Sequence, residues 1–357
     1  MCSKFLCLKH TSRFNYLVDR KMKQINIKDL AKSLGISKST VSRAFRDNSD
    51  IKPETKVRIL AAAEELGYRP NLYASNLRGA KGKTIAIIIP EFGNNFFSQA
   101  IKGIEEQARA KGYYTLIFVT DDDVEKESTF IKELCNGRVE GVLMSASGEG
   151  KKHNYLRLLK ERNIPLVFFD RYYEDVEAPV VTGNDYESSY AATKHLLDLG
   201  CKRPAYLVVD KNISIGKIRM QGYCDALKDA GIDMLQELII ECGNDKGQIY
   251  RVLKKSFAKL RPDGIFASVE RLAMPMIRIC HEEQVAIPEQ LKIICFSCLE
   301  FADMLNPALS TVQQPAMEMG RTAAQILFEL LQGNRKDDEP QIILLPSKLI
   351  PQKSTIG

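Results

Sequence analysis

Lys38, Ser39, Thr40, Ser42 and Arg43 put two cations and three short hydroxyls into six residues, and no other stretch of this 357-residue chain is as suggestive chemically. Arg43 can donate two hydrogen bonds to guanine O6 and N7, and hydroxyls of this length reach phosphates or base edges, so a helix presenting these groups fits a DNA major groove. The same residues also suit a plain solvent face on a small helical domain, and the pattern alone does not choose. Other chemistry is sparse. Cys295-x-x-Cys298 has the spacing of a zinc or redox pair, but no second pair accompanies it and it falls at the end of an apolar run, which favours structural thiols. His281-Glu282-Glu283-Gln284-Val285 lacks the second histidine of a zinc-protease helix, and the glycine-rich loop at 147–152 lacks the spacing and the Ser/Thr of a phosphate loop. His10, His153, His195 and His281 form no visible constellation with a nucleophile. Neither metal, cofactor nor catalytic group is expected.

The elements that would position the hydroxyl-rich stretch are legible. Asn26 can cap a helix in which Ile27, Leu30, Ala31 and Leu34 repeat at the spacing of one apolar face, with Asp29 at its third position. Gly35 offers a turn, and Ser37 can cap a second helix that turns Val41, Ala44 and Phe45 inward. Pro53 opens a third helix over 54–66, closed by Gly67, whose Val57, Leu60 and Ala61 are expected to complete a three-helix core. Residues 1–23 show no periodicity and are read as a basic tail, with Met22 an alternative start.

Charge separates this region from the rest. Residues 1–83 hold 18 Lys and Arg against 7 Asp and Glu, whereas the remainder holds 33 against 38. A strongly basic quarter joined to a mildly acidic body suits a nucleic-acid-binding head on a sensor or an enzyme, because clustered cations displace counterions from phosphates. The longest uninterrupted apolar run, 85–89, is far too short for a membrane span. Residues 5–8 form no secretory segment, and the nine scattered cysteines read as free thiols in a reducing cytoplasm.

Three groups of residues carry a resemblance: Ile27-Lys28-Asp29-Leu30-Ala31 with Gly35-Ile36-Ser37-Lys38-Ser39-Thr40-Val41-Ser42-Arg43, then Pro53-Glu54-Thr55, then Leu66-Gly67-Tyr68-Arg69-Pro70-Asn71. Together they closely resemble the head of the lactose/galactose repressor (LacI) family. The resemblance implies a helix-turn-helix domain at 24–69 and a hinge helix with linker at 70–83 that orders on operator DNA. It places Asn71 and Arg78 at the DNA and Leu77 as a minor-groove wedge. An apolar wedge of this kind can partly unstack a base step and kink the duplex.

Beyond residue 83, apolar runs at 84–90, 114–120, 141–146, 165–170, 205–209, 237–242, 264–268 and 291–296 alternate with helical stretches. That rhythm predicts parallel sheets covered by helices on both faces, and the strand number exceeds what one open sheet comfortably holds. Two α/β lobes with a cleft outside the carboxyl ends of their strands follow. The family resemblance continues more loosely here and implies a periplasmic-binding-protein-like body. It sets the first lobe at about 84–209 and 313–337, the second at about 210–312 and 338–357, and a homodimer on a near-palindromic operator.

By the same resemblance, Phe96 and Phe97 would form a stacking wall, Arg171 and Asp185 would stand at the cleft, and Arg219 and Glu270 would come from the second lobe. Arg219 suits a hydroxyl pair or a carboxylate, since a guanidinium can clamp either with two bonds. Val269-Glu270 replaces the family's Asn-Asp, Cys295-Phe296-Ser297-Cys298 replaces a Gly-aromatic-Asp pattern, and an aromatic usual near 244–246 is absent. The expected function is a sequence-specific transcription regulator, a repressor, controlled by a small polar, sugar-like effector. The alternatives are a transport-type binding protein, which should carry an export segment and no head, and an α/β enzyme.

Overall fold

In the computed structural model the described residues are 25–45, 51–68, 82–148, 153–334 and 341–356. The basic tail at 1–23 and the hinge residues Asn71, Leu77 and Arg78 lie outside them. The chain divides into two compact units, Met1–Arg78 and Gly79–Gly357.

The first unit contains α1 (Ile27–Leu34), α2 (Lys38–Ala44) and α3 (Pro53–Glu65). Asn26 caps α1 by accepting from the Lys28 and Asp29 amides, and the Asp29 carboxylate reaches back to the Asn26 amide at 3.1 Å, a capping box. Gly35 then turns the chain at φ 64°, a backbone conformation that glycine takes without the cost other residues bear. Leu30, Ala31, Val41, Ala44, Ile59 and Ala63 form the core. The face expected of α3 is corrected: Val57 and Leu60 are exposed, and Ile59 and Ala63 point inward instead.

The second unit is two six-stranded sheets. The first holds β1 (Thr84–Ile89), β2 (Tyr114–Val119), β3 (Gly141–Met144), β4 (Leu166–Phe169), β5 (Val180–Gly183) and β11 (Ile342–Leu345) in the order β11-β5-β4-β3-β1-β2. The second holds β6 (Pro204–Val208), β7 (Ile239–Glu241), β8 (Gly264–Ala267), β9 (Lys292–Phe296), β10 (Ser310–Gln313) and β12 (Lys348–Ile350) in the order β12-β10-β9-β8-β6-β7. All pairings are parallel except β10 with β12. Each sheet has apolar clusters on both faces, so both lobes are doubly wound.

Strand pairing moves the expected lobe boundaries. The strand Pro204–Val208 pairs with Ile239–Glu241 and Gly264–Ala267, so the second lobe begins near residue 185 and not at 210. Ile342–Leu345 pairs with Val180–Gly183 and returns to the first lobe, so 338–357 does not belong wholly to the second lobe as the resemblance implies. The chain therefore crosses between lobes three times, near 184, 314 and 346. Asn184 ties two crossings together, its amide donating to the Leu345 carbonyl at 3.1 Å and its Oδ1 accepting from the Ser347 amide at 2.8 Å.

Helices α4 (Asn95–Ala110), α5 (Val124–Leu134), α6 (Arg157–Glu161) and α11 (Ala316–Leu331) cover the first sheet; α7 (Asp185–Asp198), α8 (Ser214–Asp229), α9 (Lys246–Leu260) and α10 (Glu270–Glu282) cover the second.

Candidate functional site

The exposed surface of α2 is set by its cap. The Ser37 hydroxyl accepts from the Thr40 amide at 3.1 Å and lies 2.7 Å from the Ser39 hydroxyl and 2.8 Å from that of Thr40. Val41 and Ala44 are buried behind it, which leaves Ser39 and Arg43, one turn apart, exposed on one face; Lys38, Thr40 and Ser42 are half-buried beside them. Arg43 has no ion-pair partner among the described residues. A short, narrow helix presenting an exposed guanidinium and small hydroxyls is sterically and electrostatically suited to a duplex groove.

A cleft of about 40 Å³ opens in the body where the carboxyl ends of β1, β4, β6, β8 and β9 converge. Phe96, Phe97, Asp170, Arg171, Arg219 and Glu270 are among its lining residues, so five of the six predicted effector residues meet here; Asp185 stands behind, bonded to Arg219. At roughly 10–15 Å³ of such volume per water, the space suits a few waters, and the cleft is shut around its own side chains.

Arg219 is buried on α8. Its Nε donates to Asp185 Oδ1 at 2.7 Å, its Nη1 to the Ser268 carbonyl at 2.7 Å, and its guanidinium lies 3.8 Å from the centre of the Phe296 ring. Phe296 is thus the aromatic surface under a polar group. Phe96 and Phe97 mainly pack edge-to-face on each other at 5.2 Å, with Phe97 reaching Phe169 at 6.4 Å. Glu270, at the start of α10, accepts from Asn95 Nδ2 at 2.8 Å and from the Ser297 hydroxyl at 2.5 Å. The Cys295 and Cys298 thiols are buried, and burial pushes Cys298 up to about 12, which keeps it protonated and unreactive. Among the described residues no group of acids, histidines and cysteines is disposed to hold a metal ion.

Arg171 donates to Asp122 Oδ1 at 2.6 Å. A separate buried network lies in the same lobe: Glu127, on α5, accepts from the Tyr155 hydroxyl at 2.6 Å and the Ser147 amide at 2.9 Å, and Tyr173 donates to the Ser147 carbonyl at 2.7 Å. Burial raises the Glu127 carboxyl above its usual range. Asp170 lies beside Arg171 at φ 62°, buried, with only the Ser145 hydroxyl at 3.5 Å and Arg171 Nε at 3.8 Å near its Oδ2. Burial pushes its carboxyl up to about 6 against the pull of Arg171 and Arg219.

Across the mouth, Asp122 Oδ2 accepts from Asn244, Asn244 Oδ1 accepts from Arg271 at 2.7 Å, and Arg271 Nη1 donates to Glu91 at 2.8 Å. The chain Arg171–Asp122–Asn244–Arg271–Glu91 bridges the lobes. Sequence reasoning missed Asp122, Asn244, Arg271, Glu91 and the place of Asp170 in the cleft wall. Only Asp170 had a readable signal, as the residue next to Arg171 at a strand's carboxyl end.

A helix-turn-helix head joined to a two-lobed body closed on a polar cleft defines a class: regulators that read DNA with one unit and sense with the other. Residues 26–71 match the bacterial regulatory proteins of the lacI family, and 193–355 match the periplasmic binding protein-like domain. The chain is 31% identical over 339 residues to the HTH-type transcriptional regulator RegA of Clostridium saccharobutylicum, covering 93% of this chain and 99% of that protein. It is 30% identical to the HTH-type transcriptional regulator DegA of Bacillus subtilis, covering 92% and 97%. The fold is shared with the lac repressor dimer bound to operator and the anti-inducer ONPF, at TM-score 0.80 and 21% identity over 94% of this chain and 100% of that one. A LacI family transcriptional regulator from Enterococcus faecium with bound ribose superposes at TM-score 0.69 with 25% identity, covering 76% and 98%. The chain belongs to the lacI family of bacterial regulatory proteins. It is a DNA-binding transcriptional regulator, and the transport-type reading is set aside.

Proposed function

We propose that the chain is a cytoplasmic repressor that binds a near-palindromic operator as a homodimer, and that a small polar, saccharide-like ligand in the body's cleft shifts its operator affinity. The observation that carries this reading is the pairing of an exposed Arg43 on a hydroxyl-lined recognition helix with a buried polar cleft at the carboxyl ends of two parallel sheets. A ligand acts by favouring one arrangement of the lobes over another, and its effect on DNA equals its preference between them. The ribose held by the Enterococcus faecium relative supports the saccharide class. Lys38, Ser39, Thr40, Ser42 and Arg43 contact the major groove, with Leu77 in the minor groove, Arg78 near the phosphates and Asn71 at the DNA where the hinge helix starts.

Electrophoretic retardation on the DNA upstream of the chain's own gene tests the reading, with Arg43→Ala and Leu77→Ala beside the unmodified protein. Loss of a bidentate guanine contact costs about 1–3 kcal/mol, so Arg43→Ala should weaken specific binding by roughly 5- to 150-fold. Retention of unmodified affinity by both variants, or no preference over random duplex at moderate salt, refutes it.

A further inference from the structure

We propose that the cleft's ligand is an amine-bearing polyol, of the aminated-saccharide class, with its ammonium group held by Asp170. The inference rests on the ligand-sensing reading above and names the ligand's chemistry.

Charge in the cleft is unevenly committed. Each cation of the lining already has an acid: Arg171 bonds Asp122 at 2.6 Å, Arg219 bonds Asp185 at 2.7 Å, and Arg271 bonds Glu91 at 2.8 Å. Glu270 is satisfied by Asn95 and Ser297. Asp170 is not. The Ser145 hydroxyl at 3.5 Å and Arg171 Nε at 3.8 Å lie at or beyond the limit of a hydrogen bond, and Arg171 Nε has no partner. Yet Asp170 is only 3% exposed, and a buried carboxylate without a close donor is costly.

A second cost falls on the same residue. Its φ of 62° lies in the left-handed region, where backbone strain collects at functional positions. Strain and desolvation therefore meet at one carboxylate in the cleft wall, and an ammonium group is the partner that relieves the second. Arg171, Arg219 and Arg271 are each already held by one acid, so an anionic ligand would have to compete with those acids, and it would face Asp170 and the lining Asp210 besides. Hydroxyls follow from what else is unpaired in the wall: Gln314 Nε2 and Arg219 Nη2 are buried donors without acceptors, and a hydroxyl oxygen satisfies each.

The test is calorimetric titration of the full-length protein with matched sets at pH 7: D-glucose, D-glucosamine and D-glucuronate; the galactose counterparts; and cellobiose, its diamino analogue and cellobionate. In at least one set the amine should bind tenfold or more tighter than the neutral sugar, with the acid weakest. Asp170→Asn should erase that preference, bringing the amine's affinity down to about that of the neutral sugar measured on the same variant. Neutral or acidic members binding as tightly as amines would overturn the inference and leave the sensing reading intact, as would an amine preference that survives in Asp170→Asn. Failure of all nine compounds would overturn the saccharide-sensing reading and the inference with it.

Discussion

At Asp170, burial has raised the carboxyl from 3.8 to about 6, chiefly by desolvation. The sign of the consequence is fixed by linkage. Between these two values the folded chain binds a proton that the unfolded chain has released, so stability falls as pH rises through the window and stays reduced above it. At 1.36 kcal/mol per pH unit the loss by neutral pH is about 3 kcal/mol. Asn tolerates the left-handed conformation at this site, so Asp170→Asn should stabilise the ligand-free body above pH 6 and be nearly neutral near pH 4. Urea denaturation at pH 4 and pH 7.5 checks this. An equal effect at both pH values would show that the ionised carboxylate is not what strains the fold. Such a site trades stability for binding, since a group arranged for a ligand is poorly served in its absence.

Among the elements, the two lobes depend on helices that approach backbone to backbone. A Cβ placed on Gly103 of α4 would sit 2.1 Å from the Met317 carbonyl oxygen, and one on Gly320 of α11 would sit 2.0 Å from that of Ala100. Backbone cannot step aside as a flexible side chain can, so Gly320→Ala should destabilise the body by about 3 kcal/mol or more. Gly93 meets nothing within 4 Å, and Gly93→Ala should lie within about 0.5 kcal/mol of the unmodified chain. Equal midpoints for the two variants in urea would contradict the close crossing.

The helices of the head and most strands were legible because each has one strong period: α1 shows a single apolar face and 85–89 a solid apolar run. The third helix was misread because Thr55–Ala63 is apolar on more than one side. Period alone cannot choose between the Val57-Leu60-Ala61 face and the Ile59-Ala63 face. Lobe boundaries were misplaced for another reason. The crossings near 184, 314 and 346 are one or two residues long, too short for linker composition, and only strand pairing reveals them. In the cleft, the family resemblance pointed to Arg171, Arg219 and Glu270, and all three line it. Asp122 and Asn244, 122 residues apart, meet only in the folded chain.

The body as a whole is held shut by its own side chains, and the size of that restraint can be tested. Besides the bridge from Arg171 to Glu91, Asn95 reaches Glu270 at 2.8 Å and the Tyr172 amide donates to the Ser214 hydroxyl at 3.3 Å, both across the lobe boundary. With about 40 Å³ free, a saccharide enters only if the lobes part. Asn244 and Arg271 are the links whose loss cuts the bridge twice without touching either sheet. At about 1 kcal/mol net for each hydrogen-bonded link, removing both should favour the parted lobes by roughly 5- to 30-fold. The Tyr172 amide is the natural reporter, since its acceptor belongs to the other lobe. In Asn244→Ala/Arg271→Ala its hydrogen exchange should accelerate by about that factor, while the amides of β1 and β8, deep in each sheet, keep their unmodified rates. Ligand association should quicken in parallel, because the population competent to admit ligand has grown. Unchanged exchange at Tyr172 would mean that the closed arrangement is set by the three crossings, and that the bridge only decorates it.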